Sequence, residues 1–216
     1  MGKRIKEYYI SVDVEADGPC PGVNSMRQLG AVFYDFDGNV LEEFCVNILP
    51  IDGAVEDPDT AKWWTEQEQK RPGLWESITK DAVSAEVAMQ RFASCVQKWS
   101  GATRSSPVVF AYPAGFDFTF LYWYQCKFLG KSYVGFSALD LKTMGMCLIK
   151  SAYHDSAKRR YPRTWFTKKF PHTHNALDDA RGQGYMFFEM RKELNSFFRI
   201  TPTVGGVAIY DDDDTQ

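Results

Sequence analysis

The sequence predicts one α/β domain, a mixed β-sheet flanked by α-helices. Three observations carry that expectation. Residues 7–49 hold three strand-like runs, two of them joined by Asp37-Gly38-Asn39, a composition suited to a tight hairpin turn. An apolar pattern of helical period at 84–99 then precedes a short apolar run at 107–112, as in a helical crossover to a buried strand. No internal repeat and no linker divides the 216 residues, a length sufficient for one full core.

Each element has its own local reason. EYYISVDVEA (7–16) is β-branched and aromatic up to three alternating acids, and reads as a buried strand. DGPCPGVNS (17–25), rich in Gly and Pro, is the loop after it. RQLGAVFYDF (27–36) and VLEEFCVNIL (40–49) supply the next two strands, antiparallel in succession. Residues 58–71, with Trp63 and Trp64, are helical, and Ser84 is a fitting cap for the helix at 84–99. PVVFAY (107–112) is expected to lie parallel to the first strand. Helices are expected over 116–129, 137–149 and 175–198, the last capped by Asn175. A single domain thus spans 1–208, and the acidic residues 209–216 form a disordered tail.

Composition narrows the class. A hydrophobic fraction of 44% with 25% charged residues is that of a soluble globular chain. No apolar run approaches the roughly 18 residues of a membrane span. The start MGKRIKEYYI lacks an apolar signal region, and Lys6 breaks a myristoylation motif, so a cytoplasmic protein without membrane association is expected. Five cysteines without metal-ligand spacing point to reduced, mostly buried thiols. Setting aside Asp211–Asp214 turns the formal charge of −3 into +1. Residues 158–170 (KRRYPRTWFTKKF) hold six basic residues and no acid, a stripe compatible with a polyanion.

The chemistry lies in four acids and a histidine. Asp13 and Glu15 are two apart on a strand and share a face. An edge strand with a solvated acidic face would also explain that pair, but the apolar run before Asp13 argues for burial. Two buried like charges need a positive partner, and a hard divalent cation suits carboxylate oxygen. Asp17, third in the alternation, reads as the opener of the Gly18 turn. Asp117 sits where a strand ends and a helix begins, a position that favours an acid on helix-dipole grounds alone. His174 precedes Asp179 by five residues, so both can address the N-terminal end of one helix, and an imidazole suits a general base for water. Asp178 projects about 100° away and reads as capping or solvated. His172 reads as a surface or phosphate-contacting residue, and His154 has no supporting context.

Taken together, Asp-x-Glu in SVDVEADG, Asp117 in FDFTFL, and His-x4-Asp in HTHNALDDA resemble the histidine branch of the DEDD exonucleases, the DEDDh type. The resemblance spans about residues 8–190. It implies a ribonuclease H-like fold and 3'→5' release of nucleoside 5'-monophosphates. It also implies metal binding at Asp13, Glu15, Asp117 and Asp179, with His174 as base and two Mg²⁺ or Mn²⁺ as cofactors. A homodimer is a further implication. Two departures stand out: Pro113 occupies a position where many members have Asn, and Ala16-Asp17 stands where many have Thr.

Substrate contacts are expected from Trp63, since it or Trp64 could stack on a terminal base while at least one of the pair packs into the core. They are also expected from Phe116, beside Asp117 in sequence, and from Arg163, Trp165 and Lys168 in the basic stripe. There, basic and aromatic residues alternate (Lys158, Arg159, Arg160, Arg163, Lys168, Lys169 with Tyr161, Trp165, Phe166, Phe170), a pattern that suits phosphates and stacked bases and equally a solvated loop with a few anchoring aromatics. The expected partner is a 3' end of DNA or RNA, single-stranded. Two other classes compete. An endonuclease on the same scaffold is disfavoured by the His-x4-Asp spacing. A non-catalytic nucleic-acid binder would have no physical reason to gather four acids.

Overall fold

The computed structural model describes residues 6–198, 201–203 and 207–209. Three strands, β1 (Glu7–Ala16), β2 (Met26–Tyr34) and β3 (Val40–Asn47), form an antiparallel meander. Helices α1 (Pro58–Lys70), α2 (Leu74–Thr79) and α3 (Ala85–Thr103) lead to β4 (Ser106–Ala111), which runs parallel to β1. Next come α4 (Ala114–Leu129), β5 (Leu139–Asp140), α5 (Leu141–Leu148) and α6 (Ala176–Phe198). The sheet order is β3-β2-β1-β4-β5. A short hairpin of β6 (Thr201–Thr203) and β7 (Val207–Ile209) follows α6. Beyond Ile209, the acidic tail lies outside the described residues.

Alternation along β1 sorts its side chains between two cores. Tyr8, Ile10, Val12 and Val14 pack with Phe92 of α3 and Phe120 of α4. Tyr9 faces the other way, into a core with Phe187 of α6 and Trp165. Asp13 and Glu15 share the face of Tyr9 and so look toward α6. Opposite Asp13 on β2 is Gly30, where a Cβ would fall on the backbone of Ala176 and Leu177. That missing side chain lets the first turn of α6 rest directly on the sheet beside the acids.

Several sequence expectations need amending. The helix predicted over 137–149 begins with an extended pair: Leu139 joins the sheet beside Phe110, and Asp140 caps α5 by accepting from the Lys142 N–H at 2.9 Å. Extended backbone at the cap is what delays the helix. Helix α2 is absent from the sequence reading, and α3 runs past Trp99 to Thr103. The cysteines are free but none is fully buried: Cys20, Cys45 and Cys147 are exposed and the other two half-buried. Among the described residues, no helix is long and apolar enough to cross a membrane.

Candidate active site

The acids converge where β1 outruns its parallel neighbour. Pairing of β1 with β4 ends at Ser11, leaving the Val14 N–H without a strand partner. Asp117, in the first turn of α4, accepts that N–H at 2.9 Å and is thereby brought against Asp13 and Glu15. Gln28, paired with Glu15 across the β1–β2 ladder, accepts the Ala176 N–H at 2.7 Å and ties α6 down from the sheet side. Asn175 caps the helix, accepting the Leu177 N–H at 3.2 Å. One turn in, Asp179 is 5% exposed and points back at the strand acids. Oxygens of Asp13, Glu15 and Asp179 all lie within 4.8 Å of one another.

This clustering shifts the carboxyl groups strongly. Burial, then the charges of Asp117, Glu15 and Asp179, push Asp13 well above the ordinary carboxylate range. Glu15 is raised well above it too, by burial and then by Asp179 and Asp117. Asp117 is pushed up to about 7, mainly by desolvation, against the hydrogen bond from Val14. Lys158 offsets part of the charge at Asp13 and Asp117. A cluster that prefers protons to ionisation can exchange them for a cation, and a donor set made only of carboxylate oxygens fits a hard divalent ion. Asp13, Glu15, Asp117 and Asp179 are the residues that would hold it.

His174 lies on the loop just ahead of α6 with φ of +54°, a backbone conformation few non-glycine residues adopt. Its N–H donates to Asp179 at 3.0 Å, and the Thr173 N–H donates to the other carboxylate oxygen at 2.9 Å. The ring meets Trp63 edge-on at 4.8 Å. Helix α1 presents Trp63 there because the Trp64 indole N–H donates to the Ala16 carbonyl at 2.9 Å, while Arg71 donates to the Thr173 carbonyl at 2.6 Å. Partial burial, with the His172 charge as a further cause, lowers the pKa of His174 below its ordinary value.

The other residues singled out from sequence separate into two groups. Phe116 and Trp63, with Glu15, Ala16, Pro19 and Thr60, line a groove of about 410 Å³. Trp64 is the buried member of its pair. Asp17 serves the turn, accepting the Ser25 N–H at 2.5 Å and facing Arg27 at 3.8 Å. Pro113 is the exposed N-cap of α4, with no side-chain cap hydrogen bond. Arg163 and Lys168 are exposed. Trp165 is corrected: only 1% exposed, it packs under α6, and its indole N–H donates to Glu193 at 2.7 Å, so its faces are taken by protein.

Gln183 escapes the sequence reading, and His172, read there as a surface or phosphate-contacting residue, also touches an acid of the cluster. Gln183, 2% exposed and one turn beyond Asp179, donates to Asp13 at 2.5 Å. His172 places Nδ1 2.8 Å from Asp179, and its ring adjoins that of His174 at 4.3 Å. For Gln183 the available signal was its i+4 spacing from Asp179 on one helix face. For His172 it was its place two residues before His174.

A five-stranded mixed sheet with four acids and an adjacent histidine beside β1 has the arrangement that the sequence resemblance implies. The chain belongs to the family described as the 3'-5' exoribonuclease Rv2179c-like domain, whose model matches residues 8–190, and it is accordingly a 3'-5' exonuclease acting on nucleic acid. It is 31% identical over 189 residues to the 3'-5' DNA exonuclease Cap18 of Escherichia coli, covering 84% of this chain and 90% of that one. A full-length 3'-exonuclease shares the fold with a TM-score of 0.66 at 12% identity, over 99% of this chain and 94% of its own. The nuclease domain of 3'hExo, a DEDDh family member bound to rAMP, superposes with a TM-score of 0.57 at 13% identity, over 87% of this chain and 93% of its own.

Proposed function

We propose that the enzyme removes mononucleotides from a single-stranded 3' end, using two divalent cations (Mg²⁺ or Mn²⁺) held by Asp13, Glu15, Asp117 and Asp179, with His174 as general base. The observation that carries this reading is the convergence of three carboxylates within 4.8 Å beside a histidine of lowered pKa. When bound, the cations supply neutralising charge at the phosphate and a lowered pKa for water.

The chain's own groups supply the rest. His174, kept neutral near pH 7 by its partial burial, takes the proton from the attacking water on a ring nitrogen. Trp63 and the hydrogen bond from the His174 N–H to Asp179 fix the ring's position, so little reorganisation is needed. The groove between Trp63 and Phe116 receives the terminal nucleoside, whose base must be unpaired to enter between two aromatic side chains. Its acidic members, Glu15 and Asp59, suit a nucleoside that bears no phosphate on its 3' side.

The family is described by an exoribonuclease and the Escherichia coli relative by a DNA exonuclease, so the preferred sugar is an experimental question. The test is a panel of 5'-labelled single- and double-stranded DNA, RNA and hybrid oligonucleotides with Mg²⁺, Mn²⁺ or EDTA. The expected result is a ladder of single-nucleotide steps from the 3' end of unpaired strands, abolished by EDTA. Internal cuts, or turnover that survives EDTA, would contradict the reading.

A further inference from the structure

Asp179 stands in two sets of donors, and the proposed function uses only one. Toward β1 its companions are Asp13 and Glu15, and every donor is a carboxylate oxygen. Toward the loop before α6 it stands with His172 and His174, and one donor atom from each of these three lies within 4.8 Å of the others. The loop is held in that shape. The Thr173 and His174 N–H groups grip the two oxygens of Asp179 at 2.9 and 3.0 Å. The Thr173 hydroxyl donates to Asp178 at 3.0 Å, and Arg71 donates to the Thr173 carbonyl at 2.6 Å. Backbone wrapped around one carboxylate leaves the side chains on either side of Thr173 flanking it. His172 Nδ1 is 2.8 Å from Asp179, and the rings of His172 and His174 are 4.3 Å apart.

We infer that His172, His174 and Asp179 form a second metal site, suited to a borderline ion such as Zn²⁺, whose occupancy switches the nuclease off. Ligand chemistry separates the two sets. Two imidazoles and one carboxylate suit Zn²⁺, whereas donors made only of oxygen suit Mg²⁺ and Mn²⁺. Ligands about 2 Å from a tetrahedral ion stand roughly 3.3 Å apart, so a set within 4.8 Å closes with a small turn of one side chain. His172 is that side chain: it is 60% exposed, whereas Trp63 meets the His174 ring and Asp179 is buried. Three protein donors leave a fourth position for water. An ion held there occupies the imidazole proposed as base and withdraws Asp179 from the four acids, so zinc binding and turnover compete. The inhibition therefore rests on the proposed function; the binding does not.

His172→Asn separates this site from the carboxylate one. Asparagine keeps an N–H for Asp179 but lacks the imidazole, and the exposure of position 172 leaves the fold independent of the change. Zn²⁺ and Mn²⁺ affinities of the metal-free full chain are measured by titration calorimetry. Zn²⁺ inhibition is measured with Mn²⁺ in excess, each protein normalised to its own zinc-free rate. The parent should bind Zn²⁺ at least about tenfold more tightly than His172→Asn, the scale of losing even a group that supports a ligand, with Mn²⁺ affinity within about twofold. The zinc inhibition constant should weaken by the same factor as the affinity. Equal Zn²⁺ affinity in the two proteins, or a parallel loss of Mn²⁺ and Zn²⁺ affinity, overturns the second site while the exonuclease reading stands. Zinc bound through His172 without inhibition overturns the switch and, with it, His174 as base. A parent that trims no strand in Mn²⁺ overturns the proposed function and the switch, and the calorimetric comparison still decides the site.

Discussion

Asp178 and Asp179 are neighbours on α6 with opposite surroundings. Asp178 accepts from Arg181 at 2.7 Å, and Arg181 pairs with Glu43 at 2.6 Å, all three within reach of water. There the charges are satisfied: hydrogen bonding to Arg181 holds Glu43 below the ordinary carboxylate range. Asp179, one residue on, turns into a pocket where Asp13, Glu15 and Asp117 add to its charge and Lys158 is a partial offset. The same side chain is a surface partner in one place and, in the other, a buried member of an acid cluster held by the N–H groups of Thr173 and His174. A fold that keeps several acids together without matching cations has left room for an ion that arrives from solution.

Four substitutions probe the contrast. Asp13→Ala should lower kcat/KM by at least about 10³-fold, the scale of removing a member of a cooperating catalytic set, with the fold intact by circular dichroism. Retained activity would mean that the pocket is only structural. Next in size is His174→Ala, expected to cost about 10²–10⁴-fold. In the parent, activity should fall only as pH drops below 6.5, because burial lowers the His174 pKa and protonation removes the base. A pH–rate profile with its acidic limb above that value would contradict the assignment.

Stability gives the third probe. A carboxyl raised in the folded state keeps protons that the unfolded chain has released, so stability is greatest at low pH. It is lost as pH climbs from the ordinary carboxylate range through the folded value, about 7 for Asp117. In EDTA the melting temperature should therefore decline between about pH 4 and 8, and Mn²⁺ should remove much of the decline. Asp117→Asn should raise the metal-free Tm at pH 8 by about 3 °C or more while abolishing the Mn²⁺ response. The smallest effect is expected on the other face of α6: Arg181→Ala should alter stability by about 1 kcal/mol or less and activity by under twofold. A large loss there would mean that the two faces are not independent.

Much of this was legible before any coordinates. The strand period put Asp13 and Glu15 on one face, and Asn175 with the apolar pattern after it fixed where α6 starts. Asp117 was legible only as part of the set, since a helix start explains an acid equally well. Gln183 stayed hidden because a glutamine carries no motif, and its contact with Asp13 spans 170 residues of sequence. Trp165 misled for a related reason. Alternation of basic and aromatic residues does not say which way an indole turns, and its partner Glu193 is 28 residues away. The short β5 escaped because two residues of strand carry no period.

The most direct test is a crystal of the enzyme soaked in Mn²⁺ and recorded for anomalous scattering. The account predicts two peaks, together contacted by Asp13, Glu15, Asp117 and Asp179. No peak at these acids, or a single ion held by His172, His174 and Asp179 alone, would contradict it.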